Sequence, residues 1–275
     1  MIFELTKCIL DFEVSKLLDE KIKINVSISL REILLYDAVA FGIVKKNGEG
    51  NLNALLNKLI PALLKFKKKH RAESLRQVRQ VVPTAKLSSE DTEKIIYSTN
   101  MVFQNTYFAD ENKEKISCVI WIRPSDKNMA VFDEIIESET EISGIETATY
   151  IRSLLNEYAR FPLYKREQIV FAEECDKAML ARDSRRILRF RYEDEIHQTF
   201  VFACKYTYLM DQANYILCYD IGRNIICRYG INEIRALHLL EKKYKPTERI
   251  MDLCQKYYED ALWLEDGVFE IGGEV

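Results

Sequence analysis

Glycine is scarce in this chain, with nine residues in 275, and proline scarcer, with five. So few glycines leave little material for a loop whose backbone N–H groups close around a phosphate. Neither GxxxxGK[S/T] nor GxGxxG occurs, and HExxH and GxSxG are missing as well. The three histidines, His70, His197 and His238, lie far apart, and the seven cysteines form no CxxC or CxxxC pair. That spacing argues against structural zinc, so neither metal nor cofactor is expected, and the cysteines read as free thiols of a reducing compartment. No paired acids stand beside a histidine, so no catalytic residue is assigned and the chain reads as a non-enzyme. No apolar run approaches the roughly 20 residues of a membrane helix. The opening MIFELTKCIL has no basic stretch leading into a long apolar one, which places the expected protein in the cytoplasm, away from membranes.

What is present is ordinary globular composition, 48% hydrophobic and 30% charged, with charge gathered in blocks behind a net of −3. Lys58 to Arg79 holds eight Lys/Arg and one acid, and Arg182 to Arg191 holds five Arg and one Asp. Asp133 to Glu146 holds six acids and no base, and Tyr257 to Val275 six more. Basic surfaces separated in this way attract polyanions whatever the net charge. Any single block can equally be a solvated helix face.

Two stretches share one grammar. In KIKINVSI, Lys21 to Ile28, Ile22, Ile24, Val26 and Ile28 alternate with Lys23, Asn25 and Ser27, as in a half-buried strand. Ser29 can cap the following helix, which carries Ile33, Leu34, Ala38 and Phe41 on one side and ends at Gly42. Asn51 can cap a second helix with Leu52, Leu55, Leu56, Leu59, Ile60 and Leu63, which Pro61 should kink. About ninety residues on, KISCVIWI (Lys115 to Ile122) alternates again, Ile116, Cys118, Ile120 and Ile122 against Ser117, Val119 and Trp121. A helix follows Pro124 and Ser125, with Met129, Phe132, Ile135 and Ile136 inward. The next helix carries Ala148, Ile151, Leu154, Leu155 and Tyr158.

Strand, helix, loop, helix resembles a ribbon-helix-helix unit, here in two copies, about 21–66 and 115–161. Such units dimerise by pairing their strands, so two copies in one chain imply an intrachain pseudo-dimer. In that family the outer strand face enters the DNA major groove and the second helix offers N–H groups to phosphate. The resemblance therefore makes Lys23, Asn25, Ser27 and Asn51 nucleic-acid-binding candidates. Trp121 could stack on a base, but the expected place for it is beneath a neighbouring helix. Between the copies a basic helix could follow phosphates or merely solubilise. Ser88 and Asp91 form a candidate capping box.

After Pro162 a single helix is expected over LYKREQIVFAEECDKAMLAR. Short strands follow, in RRILRFRY, HQTFVFACKYTYL, ANYILCYD and NIICRYGINEIRALHLL. The order resembles the WYL domain, over about Glu167 to Leu240. Its Trp-Tyr-Leu triplet reads Asn214-Tyr215-Ile216 here, and its last basic strand reads Arg228-Tyr229-Gly230-Ile231-Asn232-Glu233-Ile234. The family has an Sm-like, SH3-type barrel that binds nucleic acid or an anionic ligand. Since Gly230 and Glu233 stand at basic positions of the family, the anion surface would come from Arg189, Arg191, Lys205 and Arg228, with Tyr192, Tyr206, Tyr208 and Tyr215 as stacking planes. Arg189 and Arg191 are expected at the surface, Phe190 and Tyr215 in the core. A final helix, TERIMDLCQKYYEDALWL, and an acidic tail close the chain.

The expected fold is thus α+β. A tandem ribbon-helix-helix region (1–161) is followed by a small Sm/SH3-like WYL β-barrel (162–243), then a C-terminal helix and tail (244–275). The order of parts, with KREQIV at the start of the third region, is similar to the WYL accessory proteins of type VI-D CRISPR systems. That resemblance implies a regulator that binds single-stranded RNA or DNA, partners a CRISPR effector ribonuclease in antiviral defence, and forms a homodimer. The alternatives are a DNA-binding transcriptional regulator that senses a ligand through the barrel, and a protein-interaction scaffold.

Overall fold

The computed structural model describes residues 21–81, 88, 91, 118–135, 146–206, 213–260 and 268–270. The chain divides into two compact units, with boundaries at Tyr36/Asp37, Gly50/Asn51 and Ala159/Arg160. The first boundary falls within a helix.

In the first unit, β1 (Ile22–Val26) and β2 (Cys118–Ile122) form a two-stranded antiparallel ribbon with Ile24 opposite Ile120 and Ile22 opposite Ile122. The alternation behaves as expected. Ile24, Val26, Ile120 and Ile122 are buried, while Lys23, Asn25, Val119 and Trp121 face out. β1 is shorter than the alternating run because Ser27, not Ser29, caps α1 (Ile28–Ala40): Leu30 N donates to Ser27 Oγ at 3.1 Å. Asn51 caps α2 (Leu52–Val81) as expected, its Oδ1 accepting from Ala54 N at 3.1 Å. α2 buries Leu55, Leu56, Leu59, Ile60 and Leu63. After β2, a 3₁₀ turn (Asp126–Asn128) leads into α3 (Met129–Glu134), which buries Phe132. α4 (Thr147–Ala159) buries Ile151, Leu154, Leu155 and Tyr158, and packs on β1 and α2. Each of these apolar side chains contributes about 1.5–3 kcal/mol by leaving water. Ser117 and Ile136 lie outside the described residues. The expected capping box is present, with Ser88 Oγ donating to Asp91 Oδ2 at 2.6 Å and Asp91 N to Ser88 Oγ at 3.0 Å.

α2 runs through Pro61 without interruption. Proline has no N–H, so the Asn57 carbonyl one turn earlier lacks its helical donor. Asn128 Nδ2 supplies one at 2.5 Å. The same turn holds the end of β2: Asn57 Nδ2 donates to Arg123 O (2.8 Å), Asn57 Oδ1 accepts from Ser125 N (2.7 Å), and Asn53 Oδ1 accepts from Arg123 N (2.9 Å). Part of the basic block of α2 is engaged by the chain's own acids, since Lys67 pairs with Glu157 (3.3 Å) and Lys68 with Glu134.

The second unit opens at the end of α1. Gly42, at φ +65°, closes the helix in a paired-bond C-cap, with Ile43 N donating to Ala38 O (2.8 Å) and Gly42 N to Val39 O (3.0 Å). The single helix expected after Pro162 is two, α5 (Leu163–Val170) and α6 (Ala172–Ser184), broken at Phe171. Phe171 is buried, its ring meeting Phe41 edge-on at 5.9 Å. The strands are β3 (Arg186–Tyr192), β4 (Glu195–Tyr206), β5 (Asn214–Asp220), β6 (Ile225–Gly230), β7 (Arg235–Lys243) and β8 (Val268–Glu270), with α7 (Glu248–Asp260) between the last two. They form one antiparallel sheet in the order β7-β3-β4-β5-β6-β8. The expected closed barrel is therefore corrected. Among the described residues β7 and β8 end the sheet at opposite edges without pairing, and β8 comes from the segment read as an acidic tail.

One sheet face carries Phe200, Leu217, Tyr219 and Ile226, which pack with Ile250, Cys254 and Tyr257 of α7. The other buries Leu188, Phe190, His197, Thr199, Cys218, Asp220, Cys227 and Tyr229. The described cysteines are free thiols, and burial pushes those of Cys175 and Cys254 up to about 12.

Candidate nucleic-acid interface

β3 has a period of two, and that period places its arginines. Leu188 and Phe190 are buried, so Arg189 and Arg191 emerge on the opposite face, where both are exposed. Cross-strand neighbours on that face are Gln198 and Ile196 of β4 and His238 and Arg235 of β7, all exposed. No described residue forms an ion pair or side-chain hydrogen bond with the guanidinium of Arg189 or Arg191. Arg235 is held differently, donating from Nη1 to Ile234 O (3.0 Å) and to Asn232 O. The outcome is a patch of mobile-length cations beside amide, imidazole and aliphatic surface, with no carboxylate bonded to the two β3 arginines.

Tyr192 does not join this patch. As the neighbour of Arg191 it points to the other face, where its ring meets Tyr229 at 4.9 Å and His197 at 6.1 Å. Burial, then the Glu233 and Glu193 carboxylates, raise its hydroxyl. Nor do Tyr215 and Arg228 join it. They lie diagonally across β5 and β6, Tyr215 opposite Gly230 and Arg228 opposite Leu217, with the guanidinium 5.0 Å from the ring centre, and both are half-buried. Lys205 lies opposite Tyr215, and Tyr206 opposite Asn214, by backbone register; their side chains, and all of Tyr208, lie outside the described residues. Along β4, Gln198 and Lys205 are seven residues apart, roughly 20 Å of strand. The expected single basic-aromatic surface is thus two groups at opposite ends of the sheet.

Two buried polar clusters went unread in the sequence. At the position of the triplet's Trp, Asn214 is buried and its N–H and Nδ2 donate to Glu167 Oε2 (2.7 and 2.6 Å), while Gln168 Nε2 donates to Asn214 Oδ1 (2.8 Å). Residues of the KREQIV stretch therefore bind the start of β5. At the far end, His197 Nδ1 lies 2.7 Å from Asp220 Oδ2, and the Tyr229 hydroxyl donates to the same oxygen at 3.2 Å. Asp220 Oδ1 accepts from Gly222 N and Arg223 N, closing the β5–β6 turn (3.0 and 3.2 Å). No described group bonds the buried His197 Nε2. The sequence carries no local signal for this cluster, because His197 and Asp220 are 23 positions apart on different strands.

In the ribbon, Lys23 and Asn25 are exposed as expected, whereas the Ser27 hydroxyl is committed to capping α1 and the Asn51 amide to capping α2. Trp121 does not pack beneath a helix: it is 52% exposed on the outer ribbon face, opposite Lys23, whose Nζ is 6.0 Å from the ring centre.

No family model and no curated protein matches the chain. The fold does have a solved counterpart. The crystal structure of a CRISPR Cas-related protein superposes with a TM-score of 0.60, covering 86% of this chain and 70% of the other at 13% identity. At that identity the likeness is one of fold. Among the described residues no group of histidine, cysteine and acidic side chains is arranged to hold a metal, and no helix is long and apolar enough to cross a membrane.

Proposed function

We propose that this chain is a nucleic-acid-binding regulatory protein of the WYL type, with a ribbon-helix-helix region before its sheet unit, that binds single-stranded RNA. The observation that carries the reading is the exposed pair Arg189 and Arg191, on one sheet face and bonded to no described carboxylate. Residues i and i+2 of a strand have backbones about 6.6 Å apart and side chains on one face, so both guanidinium groups can reach phosphates of one strand. The likeness of fold to a CRISPR Cas-related protein supports a CRISPR-associated role, and the sequence resemblance to type VI-D accessory proteins makes that role the delivery of bound RNA to an RNA-guided ribonuclease.

The test is titration of a labelled single-stranded RNA at several salt concentrations. Arg189→Ala/Arg191→Ala should weaken binding and flatten the slope of log K against log salt by about 1.4, since each lost phosphate contact on a single strand removes about 0.7. Parent-like affinity and slope in the double variant would overturn the reading. A duplex-DNA regulator is the second reading, favoured by the antiparallel ribbon with Lys23 and Asn25 outward. It requires Lys23→Ala/Asn25→Ala to abolish duplex binding.

A further inference from the structure

The outer face of the β1–β2 ribbon has a composition that neither a solvated sheet face nor a groove reader needs. Lys23 and Asn25 stand on one strand, directly opposite Trp121 and Val119 on the other. Lys21 precedes β1 and Arg123 follows β2; both are exposed, and the register of Ile22 with Ile122 brings their chain positions level. The face therefore offers three cations around one indole and no acid. No described carboxylate pairs with the side chains of Lys21, Lys23 or Arg123, and Lys23 Nζ lies 6.0 Å from the centre of the Trp121 ring. Leaving an indole 52% exposed forgoes a large burial gain in a unit that buries the aliphatic residues on the ribbon's other face.

The ring is also held in place. Asn53 and Asn57 of α2 bond the backbone at Arg123 and Ser125, two to four residues after the indole, so the end of β2 is fixed to a long helix. The opposite end is fixed through Arg152 of α4, which donates to Asn25 O at 3.4 Å. An exposed aromatic plane with one lysine over it, and two further cations at the level of the next residue pair, none held by a described carboxylate, is the composition that takes an unpaired base on the ring and its flanking phosphates on the ammonium and guanidinium groups. Paired bases inside a duplex present no face to stack on, and an apolar protein partner would leave three cations uncompensated.

We infer that the ribbon is a second single-strand site, in which Trp121 stacks on an unpaired base while Lys21, Lys23 and Arg123 hold the adjoining phosphates. The inference rests on the nucleic-acid-binding reading above but on residues of the other unit.

The chain has two tryptophans, so Trp263→Phe leaves Trp121 as the sole indole reporter. In that background, oligouridine and a duplex of equal length are titrated while indole emission and the anisotropy of a labelled oligonucleotide are followed together. Stacking should quench Trp121 emission saturably with oligouridine and leave it nearly unchanged with duplex. Trp121→Leu should weaken oligouridine binding about tenfold, and Trp121→Phe should restore most of it. Circular dichroism melting of the Leu variant checks that the fold is retained. Oligouridine binding with unchanged emission and a parent-like Leu variant would overturn the ribbon site alone. Preferential quenching by duplex would replace it with groove reading. Absence of all oligonucleotide binding would sink this inference and the reading beneath it together.

Discussion

Asp37 and Arg166 are separated by 129 positions, and together they form an enclosed ion pair. Asp37 is fully buried and receives two hydrogen bonds from one guanidinium, Nε to Oδ2 at 2.7 Å and Nη2 to Oδ1 at 2.9 Å, while Nη1 donates to Phe161 O at 2.6 Å. The fork geometry satisfies both carboxylate oxygens, which is what makes burial of the pair tolerable. Removing one partner strands the other. Asp37→Ala is expected to cost about 3–5 kcal/mol in urea unfolding, and Asp37→Ala/Arg166→Met much less than the single change, because the double variant buries no lone charge. A single variant within about 1 kcal/mol of the parent would show that water reaches the guanidinium. Arg166 was legible as part of the KREQIV stretch; its partner, near the end of a helix in another stretch of chain, was not.

At the scale of elements, the β3–β4 hairpin turns on two residues, Glu193 and Asp194, with φ of +45° and +67°. Both lie in the left-handed region, which costs an L-residue with a Cβ roughly 1–2 kcal/mol and which the favoured two-residue hairpin turn requires. Glu193→Asn/Asp194→Gly is therefore expected to stabilise the protein by about 1–2 kcal/mol, read from the urea midpoint at unchanged slope. An unchanged midpoint would mean that the present turn is relaxed. The turn matters for the candidate interface because it fixes Tyr192 opposite Glu195, and so Arg191 opposite Ile196 and Arg189 opposite Gln198. α2 makes a related point. Its leucine pattern predicts a helix and its proline leaves one carbonyl without a helical donor; the helix continues through Pro61, and an asparagine from another segment takes that carbonyl.

For the whole molecule, charge is sorted by unit and by face. Part of the α2 lysine block is neutralised by acids, whereas Arg189 and Arg191 in one unit, and Lys21, Lys23 and Arg123 in the other, are paired with no described carboxylate. If both units hold one strand of RNA, losses on each should multiply for long oligonucleotides. Trp121→Leu/Arg189→Ala/Arg191→Ala should then weaken binding by about the product of the separate factors, as for sites that share no partner. A triple variant no weaker than the arginine double, measured by anisotropy, would confine binding to the sheet unit.

Composition and periodicity by themselves determined that the chain carries a strand and two helices from about residue 21, a similar start from about 115, and a strand-rich last third. They also determined which face of β3 holds arginine, since a period of two assigns alternate residues to opposite faces wherever one face is buried. Folding alone decided that the last third is an open sheet with an edge strand drawn from the acidic tail, that its basic and aromatic residues fall into two groups, and that Trp121 stands in solvent. The reason is that pairing order, sheet closure and helix coverage depend on contacts between residues tens to hundreds of positions apart. Local pattern is set by neighbours one to four residues away, and it carries no record of which distant surface arrives to cover it.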